Sequence, residues 1–272
     1  MKKHGTTILL ILIFILGLGL LLYPTVSDWW NSQHQSKAIA TYSENVSNLK
    51  EEEKVDLIDE ARQFNKILTD RMGYQYLTDE ELKLYESVLD ITGTGIMAYI
   101  EIPSIDVSLP IYHTVSESVL QIAVGHIEWT SLPVGGESTH CVLSGHRGLP
   151  SAKLFTNLDK VAVGDIFMIN TVGETFTYQV YEILIVEPEE ISALAIEPGK
   201  DLCTLVTCTP YGVNSHRLLV RGQRIANIEE EAKIVVTPDA NQIDPLVIAP
   251  VVAAPMLLVL LIYVMIKYRK KK

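Results

Sequence analysis

The sequence predicts a mainly β domain, a barrel or a sandwich, with a helical extension before it and membrane segments at both ends of the chain. Three observations carry that prediction. Uncharged apolar runs stand near each terminus. A polar stretch with apolar residues at helical spacing gives way, after Gly93 and Gly95, to short β-rich runs. Turn residues punctuate those runs at regular intervals.

The first apolar run, Ile8–Leu22, has 15 residues without a charge and follows Lys2, Lys3 and His4. With Thr6, Thr7 and Tyr23 it is long enough to span a bilayer. Thr25-Val26-Ser27 is a weak small-residue site without an A-x-A pattern, so residues 1–23 read as an uncleaved anchor in preference to a cleaved signal. The second run, Leu246–Ile266, has 21 uncharged residues, with Pro250 and Pro255 as kink points. At about 1.5 Å per residue it crosses a hydrocarbon core of about 30 Å. A buried core helix is the alternative, and the basic tail of residues 267–272 argues against it. Basic residues at both ends place both termini in the cytoplasm and the rest of the chain outside, at the cell membrane.

The net charge of −11 conceals an asymmetry. The two tails hold seven of the 22 basic residues and none of the 33 acidic ones, which leaves 15 basic against 33 acidic elsewhere, a net of −18. So acidic an outer part argues against nucleic acid as a partner. Cys141, Cys203 and Cys208 make an odd count, so at least one thiol is unpaired. Outside the cytoplasm such a thiol is either buried or used.

Residues 24–95 form the helical extension. Val46, Leu49, Val55, Leu57, Ile58, Ala61, Phe64 and Leu68 recur mostly at helical spacing, and Leu77–Leu89 reads as a further helix with Thr78-Asp79-Glu80-Glu81 as its cap and acidic first turn. Two or three helices are expected. Residues 96–226 hold the β domain, with strands at Met97–Ile102, Val107–Ile111, Cys141–Ser144, Ile166–Thr171, Glu174–Val186, Leu202–Thr207 and His216–Ile225. Residues 227–245 are a linker.

Three segments carry chemistry. Thr204-Leu205-Val206-Thr207-Cys208-Thr209-Pro210 is an apolar strand that delivers a thiol just before a proline turn. A strand end fixes a nucleophile well, but this segment alone leaves a buried structural cysteine equally open. Val142–Gly148 ends a second strand in a turn that presents His146, a general acid or base if it is not a surface loop histidine. Asn214–Gly222 places Arg217 near a strand start, where a guanidinium stabilises a thiolate or an oxyanion, while Arg221 reads as a solvated strand arginine.

Together these segments resemble the sortase signature: Thr-Leu-x-Thr-Cys at a strand end, Arg nine residues later, and a His in an upstream Ser-Gly-His-Arg turn. Tyr99–Pro103, Leu109–His113, Gly125-His126 through Gly136, and Ser144–Lys160 resemble sortases as well, so residues 96–225 are covered. The wording is most similar to the class C, pilus-assembling branch. The resemblance implies a closed eight-stranded β-barrel with short helices, Cys208 as nucleophile, His146 as acid and base, Arg217 as oxyanion and substrate partner, and Thr207 as oxyanion support. It implies acyl transfer from a Leu-Pro-x-Thr-Gly-like signal to a pilin Lys amine, with pilin or surface-protein substrates as partners. No cofactor is implied, and no H-E-x-x-H or Cys-x-x-Cys spacing suggests a metal.

Two departures stand out. Class C members carry an Asp-Pro-aromatic lid motif upstream of the barrel, and residues 64–89 contain none, with Tyr74 or Tyr76 as the available stand-ins. Cys141 and Cys203 each lie five residues before a site residue, so parallel neighbouring strands bring them together as two buried thiols or a disulfide. Anchoring of surface proteins to peptidoglycan uses the same residues with another amine. A papain-like hydrolase is disfavoured because here the His precedes the Cys and the Cys follows a strand. An inactive assembly scaffold is disfavoured by the intact Cys, His and Arg set.

Overall fold

The computed structural model describes residues 5–70 and 76–227, with positions 255, 258, 262 and 263. The expected C-terminal span, its basic tail and nearly all of the linker lie outside the described residues, as does Tyr74. The chain divides into two units: one holds the first helix up to Trp30, and the other is Asn31–Glu229.

Helix α1 (Gly5–Asn48) runs 44 residues and passes through Pro24 without a break. Ile8, Leu12, Leu16 and Leu20 lie exposed on it, and among the described residues it is the one helix long and apolar enough to cross a membrane. Periodicity alone ran Val46–Leu68 together. The chain instead breaks at Leu49-Lys50, and helix α2 (Glu51–Thr69) begins where Glu53 accepts from Lys50 N at 2.8 Å. Helix α3 (Asp79–Ser87) starts with the expected reciprocal cap: Thr78 Oγ1 accepts from Glu81 N at 3.3 Å, and Glu81 Oε2 accepts from Thr78 N at 2.8 Å.

Eight strands follow: β1 (Ile96–Ile102), β2 (Val107–His113), β3 (Val124–His126), β4 (Thr139–Ser144), β5 (Ile166–Thr171), β6 (Glu174–Val186), β7 (Asp201–Thr209) and β8 (His216–Arg224). A one-turn helix, α4 (Glu117–Leu120), precedes β3. The strands close into a barrel in the order β1-β2-β3-β4-β7-β8-β6-β5. Only β2–β3 and β4–β7 pair in parallel. Seven of the eight strands were expected; β3 was not, because three residues are too short to show a period.

Met97, Ile100, Phe155, Phe167, Leu205 and Val220 fill the barrel, and α2 and α3 close it with Ile58, Ala61, Phe64 and Tyr85. Buried polar bonds fix this extension in place. Asn65 of α2 exchanges two hydrogen bonds with the Leu132 backbone, at 2.6 and 3.1 Å. Tyr85 of α3 meets His126 Nδ1 at 3.0 Å. The described parts of this stretch, residues 64–70 and 76–89, are therefore largely a packing layer. Tyr76 is 87% exposed.

Two cysteines are core residues. Cys141 and Cys203 are register partners on β4 and β7, and both are free, buried thiols, not a disulfide. Burial pushes the Cys203 thiol well up. At Cys141 burial also pushes up, but hydrogen bonds from Cys203 and His126 outweigh it and hold that thiol lower. Arg221 is not the solvated arginine its exposed-looking strand suggests. Its side chain is 10% exposed and paired with Glu182 and, at 2.7 Å, with Glu197.

Candidate active site

Side chains alternate across a strand, so the pairing of β4, β7 and β8 sorts their residues into two faces. Cys141 and Leu143 of β4, Cys203 and Leu205 of β7, and Leu218 and Val220 of β8 point into the barrel core. Val142, Val206 and Leu219 belong to the opposite face, where Leu194 covers them. Cys208 is two residues beyond Val206 and shares its face. The odd separation of five between Cys203 and Cys208 is what sends one thiol inward and the other outward.

Cys208 lies near the end of β7, half-buried, directly opposite Arg217 of β8. His146 reaches the same place along β4. The parallel register ends at Ser144 and Val206. One further rung follows, in which Gly145 N donates to Val206 O at 3.1 Å. Thr207 Oγ1 then donates to Gly145 O at 2.7 Å. His146 and Cys208 each stand two residues past the last register pair, Ser144 and Val206. Gly145 is required by packing: a Cβ there would stand 2.7 Å from the Phe155 ring.

The site's polar groups are left uncommitted. His146 Nε2 is buried without a hydrogen-bond partner; the Glu117 carboxylate is 3.9 Å away, beyond hydrogen-bond range but at ion-pair distance for a protonated imidazole. Arg217 Nη1 donates to the His216 and Asn214 carbonyls at 3.2 and 3.4 Å, and among the described residues it meets no carboxylate. Arg147, Arg221 and Arg224 all have one. A guanidinium held by its own backbone keeps its charge available for an incoming anion.

The structure thus sets Cys208 opposite Arg217, with His146 just past the end of the neighbouring strand β4. Thr207 joins them differently from expectation: it is buried, and its hydroxyl is committed to Gly145 O. It pins the backbone before His146. Sequence reasoning missed Arg147, Asp159 and Thr209, which join the two loops at this end of the barrel; the Ser-Gly-His-Arg turn contained Arg147 without disclosing its partners. No group of three or more metal-ligating side chains occurs among the described residues.

A family profile described as the sortase domain matches residues 100–225. The crystal structure of sortase C1 from Streptococcus agalactiae is 49% identical, with a TM-score of 0.69 over 71% of this chain and 100% of that one. The chain belongs to the sortase family. Sortase C from Streptococcus pneumoniae is 41% identical, with a TM-score of 0.63 over 70% of this chain and 97% of its own. Class C sortases are therefore among the structural neighbours. Among curated relatives, sortase D of Bacillus subtilis (strain 168) is 30% identical over 130 residues, 46% of this chain and 62% of that protein. Sortase A of Streptococcus agalactiae serotype III (strain NEM316) is 31% identical over 113 residues, 40% of this chain and 45% of that protein. The chain thus matches about half the length of these curated relatives.

Proposed function

We propose that this sortase is a membrane-anchored, extracytoplasmic cysteine transpeptidase that polymerises pilin subunits. What supports the chemistry is a half-buried thiol directly opposite an arginine that meets no carboxylate among the described residues, with a histidine whose Nε2 makes no hydrogen bond just past the neighbouring strand. Polymerisation is favoured by the class C neighbours, one of which is described in terms of pilin substrate specificity.

A Leu-Pro-x-Thr-Gly-like signal enters beside Cys208. The thiolate attacks the Thr carbonyl carbon, and the oxyanion that forms is stabilised by Arg217. Collapse breaks the Thr–Gly bond, and protonated His146 gives its proton to the departing Gly amine. A neutral Lys amine of a second subunit then attacks the thioester. His146 takes the proton from that nitrogen, the thiolate leaves, and an isopeptide bond remains. Thr207 keeps the backbone before His146 tied to β7 throughout. Both termini lie in the cytoplasm in this reading, with α1 and the Leu246–Ile266 segment as anchors. Anchoring raises the effective concentration of membrane-tethered substrates.

A second reading, attachment of surface proteins to peptidoglycan, is favoured by the missing Asp-Pro-aromatic motif in residues 64–89. The test mixes the full-length protein in detergent with a pilin bearing the signal, and with its Cys208→Ala variant. Covalent oligomers made by the wild type alone support polymerisation. Hydrolysis or a thioester adduct without oligomers supports the anchoring reading. Identical behaviour of both proteins overturns Cys208 as nucleophile.

A further inference from the structure

We propose that Arg147 is a positioning residue that splints the His146 loop to the Cys208 strand end, with Asp159 holding its guanidinium in place. The inference rests on the assignment of His146 and Cys208 above and extends it to a residue with no assigned part in the reaction.

The need for such a splint follows from the register. His146 and Cys208 stand on different strands, and both lie past the last ladder rung that joins them, Gly145 N to Val206 O. Beyond that rung no backbone hydrogen bond joins the two segments among the described residues, and the Thr207 hydroxyl on Gly145 O ties them only before His146. One enters the loop that follows β4, and the other passes Thr209 into residues 210–215. A ladder cannot hold two side chains beyond its end, and small displacements between reacting groups are costly in rate.

Arg147 bridges the gap. It follows His146 directly, and its Nη1 donates to Thr209 Oγ1 at 3.2 Å, on the residue that follows Cys208. Its Nη2 donates to Asp159 Oδ2 at 2.5 Å. The side chain is only 8% exposed. Its guanidinium carbon lies 5.9 Å from the centre of the Tyr211 ring, so a second contact joins the same two loops. Tyr211 also packs on Gly148, where a Cβ would meet the ring at 2.9 Å. Arg147 Nε is buried without a hydrogen-bond partner among the described residues. The planar fork is what allows one side chain to reach two loops at once; an ammonium on a flexible stem has one charged point to offer.

Two variants test this in the full-length protein: Arg147→Lys, which keeps the charge, and Thr209→Val, which keeps the Arg147–Asp159 pair. Turnover of a sorting-signal peptide should fall about 10- to 100-fold in kcat. KM should stay within about two-fold, and the melting temperature within about 3 °C. Alkylation of Cys208 by iodoacetamide across pH is the second readout, with His146→Ala as reference. Both variants should shift toward the reference profile. The proposal is overturned if the variants fold and keep the wild-type kcat, or if activity is lost only in proportion to folded protein. It is also overturned if they keep the wild-type alkylation profile, or if His146→Ala leaves that profile unchanged. Should wild type cleave no peptide, the proposed reaction fails by itself, and the alkylation profiles still decide the role of Arg147.

Discussion

Strands β4, β7 and β8 carry two polar clusters on one face, at opposite ends. At the first end Arg221 sits between Glu182 and Glu197. His140 is held there by Ala195 O and Thr204 Oγ1, both at 2.7 Å. At the other end, among the described residues, Arg217 makes hydrogen bonds to carbonyls alone, and His146 Nε2 makes none. Each end holds an arginine of β8 and a histidine in or just past β4. Commitment differs. At the first end the charges are paired, although Arg221 Nε is buried without a hydrogen-bond partner, and the cluster stabilises the fold; at the other end no carboxylate stands within hydrogen-bond range of Arg217 or His146 among the described residues, and these groups are free to meet a substrate.

The sharpest way to break this comparison is to remove each arginine in turn. Arg217→Gln should lower kcat by about 10²- to 10³-fold, the usual loss on removing an oxyanion donor. Its melting temperature should stay as in wild type, since only two long carbonyl contacts are lost. A variant with near-normal kcat would remove Arg217 from the reaction.

Acid should act on the closed end through its histidine. Burial holds His140 at about 4, below its ordinary 6.5, and burial also lowers His113. Between those two values the unfolded chain binds a proton that the folded chain refuses, so stability falls as pH drops through the window. For His140 the loss is on the order of 3 kcal/mol when complete. Urea midpoints measured from pH 7 to pH 4.5 should show the slope, and His140→Gln should flatten it. An unchanged slope in the variant would place the acid sensitivity elsewhere.

Arg221→Gln leaves two carboxylates without their guanidinium. Those carboxylates are 39% and 34% exposed, so solvent softens the penalty to about 1–3 kcal/mol. Denaturant titration measures it, and kcat per folded molecule should not change. If kcat falls as Arg217→Gln makes it fall, the two ends are not separable.

The smallest effect concerns the thiols. Iodoacetamide should modify the native protein at Cys208 alone and reach Cys141 and Cys203 only after unfolding, as read by mass spectrometry. Cys203→Ala should cost about 1 kcal/mol, because a small buried group is lost from a packed site. Labelling of a second native thiol would mean that the barrel opens between β4 and β7.

Local alternation was readable in the chain itself. It placed strands such as Ile166–Thr171 and Glu174–Val186 at their observed limits, and it set Cys208 at a strand end with Arg217 nine residues on. The five-residue offsets of Cys141 from His146 and of Cys203 from Cys208 also stood in the sequence, and period two alone separates inward from outward thiols. Barrel closure decided the rest. It paired β4 with β7 in parallel, recruited the three-residue β3, and supplied partners from far along the chain. Arg221 read as solvated because Glu182 lies 39 residues before it and Glu197 lies 24 before it. Arg147 disclosed no role because Thr209 is 62 residues away. Periodicity reports which face a residue takes, since that depends on its own backbone. Which partner meets it there depends on how distant strands are brought into register, and only the closed barrel sets that.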